Sequence, residues 1–104
     1  MLSKINRSTL MYFSTQIIEQ IGALARDLTP ISDIASLLDI NEDLLRQAIA
    51  DKHNAEVRNA YYKNKALTSL QLRKQELELA KVGSPLAVQL SSSYVRDMTI
   101  NEDL

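Results

Sequence analysis

The sequence contains no cysteine and no tryptophan, a single histidine, two glycines, two prolines and five aromatic residues: Tyr12, Phe13, Tyr61, Tyr62 and Tyr94. Without cysteine there is neither a disulfide framework nor a thiolate metal site, so aliphatic packing must hold the fold together. Glycines only at 22 and 83 leave no phosphate-cradling loop. His53 has no recognisable nucleophile near it in sequence and reads as a surface group or a helix-end cation. The carboxylate pairs Glu42/Asp43 and Glu76/Glu78 have no metal-ligand company and read as capping and solvating groups. The expectation is a chain that is not an enzyme, with no metal or cofactor. Lys4, Asn6, Arg7 and Ser8 interrupt the N-terminal apolar residues, and no apolar run approaches membrane-spanning length, so a cytoplasmic chain with no membrane partner is expected.

Leu, Ile, Ala and the long polar residues dominate what remains, a helix-forming composition in 104 residues, enough for one modest core. Ile17, Ile18, Ile21, Leu24, Ala25 and Leu28 recur at helical spacing behind Ser14 or Thr15 as N-cap. Gly22 inside that helix is a place where a neighbouring helix can come close. Leu10 to Phe13 either extend this helix or fold back as an apolar arm. Thr29 before Pro30 predicts a second helix to about Leu38, with threonine capping and proline in the first turn. Asn41 predicts the N-cap of a third, which carries Leu44, Leu45, Ala48 and Ile49 inward and fades near His53. A long helix is expected from Ala55 to Val82, stopped by Gly83, and a short one from Pro85 to about Asp97 behind Ser84 as cap, with Leu86, Leu90 and Val95 or Tyr94 inward. The pentapeptide Ile-Asn-Glu-Asp-Leu occurs at 40–44 and again at 100–104. With no shared flanking period this reads as coincidence, and the second copy as the opening of a further helix.

Ile31 to Ala50 has helix-turn-helix spacing: Ile34, Leu38, Ile40, Leu45 and Ala48 fit the buried positions, Ala35 allows close approach, and Asp39 occupies the turn position that glycine usually takes. A tight helical hairpin inside a bundle is the alternative. Charge favours that alternative, because residues 27–51 sum to −5 and residues 52–81 to +4, and DNA repels acidic surfaces. Arg46 and Gln47 on the outer face of the third helix, Lys52 and Arg58 beyond it, and Lys4 and Arg7 in the N-terminal arm are the candidate DNA-binding residues. The long helix has Leu70 and Leu77 on one side and Leu72 and Leu79 almost opposite, with Val57 and Tyr61 extending the latter. A surface helix needs only one apolar stripe, so self-association through Val57, Tyr61, Leu72, Leu79 and Val82 is expected, unless a kink near Thr68 and Ser69 folds the helix back. Lys63, Lys65, Arg73, Lys74 and Lys81 form either a solvated face or a phosphate track.

The fold expected is all-α: a helix-turn-helix bundle over 1–54, a helical oligomerisation region over 55–97 and a tail over 98–104. In Ile31 to Ile49, Val57 to Tyr61, Lys65-Ala66, the run Leu79 to Ala87 and Leu90, the chain resembles the small subunit of tailed-phage terminases, over about residues 14 to 95. The resemblance implies recognition of double-stranded viral DNA for packaging, assembly into a ring, a large-subunit ATPase as partner, and a bacterial host. It assigns DNA-facing positions to Arg46, Gln47 and Lys52 and assembly to 55–95. Two other readings stay open. One is a dimeric helix-turn-helix transcriptional regulator on a palindromic site. The other is a protein-interaction module that the acidic 27–51 segment favours.

Overall fold

The computed structural model describes residues 13–53 and 55–102, and all regular structure among them is α-helical: α1 (Thr15–Arg26), α2 (Ile31–Leu37), α3 (Glu42–Ala50), α4 (Ala55–Lys81) and α5 (Pro85–Glu102). The chain divides into two compact units, Met1–Thr68 and Ser69–Leu104. The first half of α4 belongs to the N-terminal unit, and residues 98–102 are helical.

Three helices start as side-chain chemistry dictates. Ser14 Oγ accepts from the Ile17 N–H at 3.2 Å, Asn41 Oδ1 from the Leu44 N–H at 3.1 Å, and Ser84 Oγ from the Ala87 N–H at 3.4 Å, each satisfying a donor the helix cannot. The start of α2 differs from expectation. Pro30 is itself the N-cap, in extended backbone and with no side-chain cap, because Thr29 is occupied in ending α1: its N–H donates to Leu24 O while the Leu28 N–H donates to Ala25 O. The same crossed pair closes α2, from Ile40 to Ala35 O and from Asp39 to Ser36 O, and α4, from Ser84 to Leu79 O and from Gly83 to Ala80 O. Such a closure puts one residue in the left-handed region. Gly83 takes it at φ 90°, but Asp39 at φ 56° and Leu28 at φ 59° do so with a side chain. Leu28, expected on the inner face of α1, is therefore outside the helix and exposed.

In the N-terminal unit, Ile21, Ala25, Ile34, Ala35, Leu45, Ala48, Ile49, Val57 and Tyr61 form one buried cluster, flanked by Phe13, Ile17, Ile18, Leu24, Ile31, Leu38 and Ile40. Residues 10–12 of the expected arm lie outside the described residues. Gly22 is the point of closest approach of α1 to α4: a Cβ there would sit 2.8 Å from Asn64 Nδ2. Asn64 is fixed by three bonds. Its Nδ2 donates to Ala60 O at 2.7 Å, and its Oδ1 accepts from Arg26 Nε at 3.0 Å and Nη2 at 2.7 Å. Thr68 Oγ1 donates to Arg26 O one turn further on. α4 is helical through Thr68 and Ser69.

In the C-terminal unit the half-buried residues of α4 are Ser69, Arg73, Glu76 and Ala80, and those of α5 are Leu90, Ser91, Ser93 and Tyr94 beside the fully buried Ala87. The inner row is mostly small or polar. The larger apolar residues stand on its flanks: Leu70 and Leu77 on one side of α4 with Leu72 and Leu79 on the other, and Val88 and Val95 opposite Leu86 on α5. Leu86 and Val95, expected to face inward, are exposed, because Ala87 and Ser91 occupy the row instead.

Two outcomes test this description. Asp39 makes no side-chain bond that a glycine would lose, so Asp39→Gly should stabilise the protein by about 0.5–1 kcal/mol in urea unfolding; a loss would mean that the turn is not left-handed. Gly22→Ala should destabilise the native chain yet gain about 1 kcal/mol in an Asn64→Ala background, where only helix propensity remains.

Candidate nucleic-acid interface and assembly surface

Arg46 and Gln47 lie on the exposed side of α3, opposite the buried Leu45, Ala48 and Ile49. The Arg46 cation is not free: its Nε lies 2.9 Å from Glu42 Oε2, one turn back, with both side chains about half exposed. Glu42 and Asp43 are in the first turn of α3, where the helix dipole favours negative charge. An exposed i, i+4 pair contributes only about 0.3–0.5 kcal/mol, so Arg46 can leave Glu42 for a stronger anion at little cost. Lys52 is exposed in the bend after α3, beside His53, whose N–H donates to Asp51 Oδ1 at 2.9 Å.

Arg58 is committed to structure as well as to the surface. Its Nη1 donates to Ile49 O at 3.0 Å, supplying a partner for one of the last carbonyls of α3, and its guanidinium carbon lies 4.9 Å from the Tyr62 ring centroid. Arg46 and Gln47 thus share one helix, and Arg58 is joined to that helix's C-terminal end. Lys4 and Arg7 lie outside the described residues. Sequence reasoning missed Asn64 and Thr68, whose polar types on a helix face gave no sign that they would bind Arg26.

The expected assembly residues separate into two groups. Val57 and Tyr61 are 1% and 7% exposed within the N-terminal core, so they cannot form a surface for another subunit. The correction has a simple cause: three short helices cannot close a core alone, and the first turns of α4 supply the missing wall. Leu72 and Leu79 are close to half exposed and Val82 is 80% exposed. With Leu70, Leu77, Val88, Met98 and Ile100 they leave apolar residues on both flanks of the α4–α5 row. An open groove of about 280 Å³, lined by Arg73, Tyr94, Asp97, Met98 and Asn101, lies between the two helices.

Among the described residues no group of three or more His, Asp or Glu is placed to hold a metal ion, and no helix is long and apolar enough to cross a membrane. Comparison with family models, curated proteins and solved structures found no match to this chain.

The burial of Val57 in the first half of α4 is testable by stability. Val57→Ala should lower the unfolding free energy by about 2 kcal/mol, whereas Leu37→Ser, on the exposed side of α2, should change it by under ~0.5 kcal/mol. Equal effects would contradict the assignment of Val57 to the core.

Proposed function

We propose that this chain is a non-enzymatic adaptor of the terminase small subunit type, which binds double-stranded DNA through a helix-turn-helix formed by α2 and α3 and assembles as an oligomer through α4 and α5. The observation that carries the reading is the C-terminal unit: a two-helix layer with Ala87 as its one buried residue among those described and apolar residues on both flanks. Water-exposed leucine and valine at this density favour burial against another surface by about 25 cal/mol per Å2, and a second copy is the partner always present. On the DNA side, Ile34, Ala35, Leu45 and Ala48 are buried between two short helices joined at Asp39, the packing that a helix-turn-helix requires. Arg46 and Gln47 are then the side chains for base edges, with Lys52, in the bend after α3, as a further contact. Assembly would multiply a weak single contact into useful binding. A large packaging ATPase is the partner that this reading implies, in the cytoplasm of a bacterial host.

The acidic surface of α2 and α3 and the pairing of Arg46 with Glu42 favour a second reading, in which the same hairpin is a scaffold for protein contact. Light scattering across micromolar concentrations and titration of duplex DNA separate the two. The adaptor reading expects an oligomer that Leu72→Glu dissociates with its helicity retained, and DNA binding that Arg46→Ala weakens roughly tenfold, the loss of about 1–3 kcal/mol expected for a base contact, without changing assembly. A strict monomer with no DNA binding at low salt would reject it.

A further inference from the structure

Among the described residues of the N-terminal unit, α4 carries more cations than any other helix: Arg58, Lys63 and Lys65. Residues 52–68 carry Lys52, Arg58, Lys63 and Lys65 against Glu56 alone, while residues 27–51 carry Asp27, Asp33, Asp39, Glu42, Asp43 and Asp51 against Arg46 alone. Val57 and Tyr61 turn one side of α4 into the core, with Asn64 and Thr68 beside them bonded to α1. At roughly 100° per residue, the outward arc runs from Lys65, on the flank next to Tyr61, through the half-buried Arg58 and then Tyr62, Ala66 and Asn59 to Lys63 on the other flank, and it holds no carboxylate. Glu56 stands at its edge.

Two of these cations lie within cation–π distance of aromatic rings. Arg58 lies over Tyr62, and Lys65 Nζ is 5.7 Å from the centroid of Tyr61, which itself meets Tyr62 edge-on with centroids 5.2 Å apart. Such contacts, worth about 0.5–1 kcal/mol each at an exposed site, bias the charges toward the rings and so reduce the side-chain freedom lost when an anion binds. Arg58 and Lys65 are about 10 Å apart along the helix, and a DNA strand carries one charge per ~3.4 Å of axis, so one backbone can meet both.

We infer that the outward arc of α4, comprising Arg58, Tyr62, Lys63 and Lys65, is the phosphate-binding surface of this chain for duplex DNA. The arc supplies the sequence-independent attraction that the acidic α2–α3 surface lacks. The inference rests on the DNA-binding reading above and divides the labour within it: Arg46 and Gln47 for bases, α4 for the backbone.

The test is the salt dependence of binding to a mixed-sequence duplex oligonucleotide, measured by anisotropy with the full chain between about 50 and 200 mM salt. Lys63→Gln/Lys65→Gln should lower the slope of log affinity against log salt by about 0.9 for each lysine. Lys74→Gln/Lys81→Gln, an equal change of net charge outside the arc, should leave it unchanged, as should Arg46→Ala, whose affinity alone falls. Both lysine pairs are exposed, and circular dichroism of each variant checks the fold. An unchanged slope in Lys63→Gln/Lys65→Gln, or an equal fall in Lys74→Gln/Lys81→Gln, would overturn the inference while DNA binding stood. No binding by the unaltered chain at low salt would overturn the DNA reading and the inference together.

Discussion

A core built only of aliphatic side chains and one tyrosine, with no disulfide to assist, must be closed on every side by helices, and α1, α2 and α3 leave one side open. Val57 and Tyr61 from the first turns of α4 fill it. Much else in the N-terminal unit follows from that closure. α4 has to approach α1, which it does at Gly22, and the approach is fixed by the Asn64 amide, which bonds both its own helix and the Arg26 guanidinium. Arg58, one residue after Val57, is thereby brought to the end of α3 and satisfies the Ile49 carbonyl. One stretch of α4 therefore supplies the wall of the core, the clasp to α1 and the cap of α3.

The C-terminal unit works on different terms. Small and polar residues such as Ser69, Ala80, Ala87 and Ser91 occupy the inner row, where they allow two helices to lie close but remove little apolar area from water. Ser91 and Ser92 return their hydroxyls to Ala87 O and Val88 O, and Thr99 does so to Val95 O, so these side chains serve their own helix. The leucines and valines that would make a core in an ordinary hairpin stand outside. A layer of this kind gains its stability from whatever covers its flanks, and for that reason assembly is central to the proposed function.

The charge distribution adds a second division. Acidic residues suit the N-terminal ends of short helices, and Glu42 and Asp43 stabilise α3 by being there, but the same choice makes the α2–α3 surface a poor partner for phosphate. Arg58, Lys63 and Lys65 of α4 lie outside the side of that helix that Val57 and Tyr61 turn into the N-terminal core and are free of this constraint. The DNA-binding surface we propose, divided between the two, would satisfy both the helix and the ligand.

The two copies of Ile-Asn-Glu-Asp-Leu mark the line between what sequence and tertiary structure decide. At 40–44 the segment is a turn, an N-cap and the start of α3, whereas Ile100, Asn101 and Glu102 continue α5. The helices themselves, the caps at Ser14, Asn41 and Ser84, the turn at Asp39, the stop at Gly83 and the inward set Ile34, Ala35, Leu45 and Ala48 were legible in the sequence, because each depends on residues within a turn or two of itself. The sequence also showed apolar residues on two sides of α4. It did not show that Val57 and Tyr61 belong to a core while Leu72 and Leu79 do not, since all four have the same helical phase. Nor did it show that Ala87 and Ser91 would displace Leu86 and Val95 from the inner row. Local hydrogen bonding and periodicity are properties of the chain, and the sequence determined those; which apolar side is covered depends on the helices that arrive beside it, and only the tertiary structure decided that.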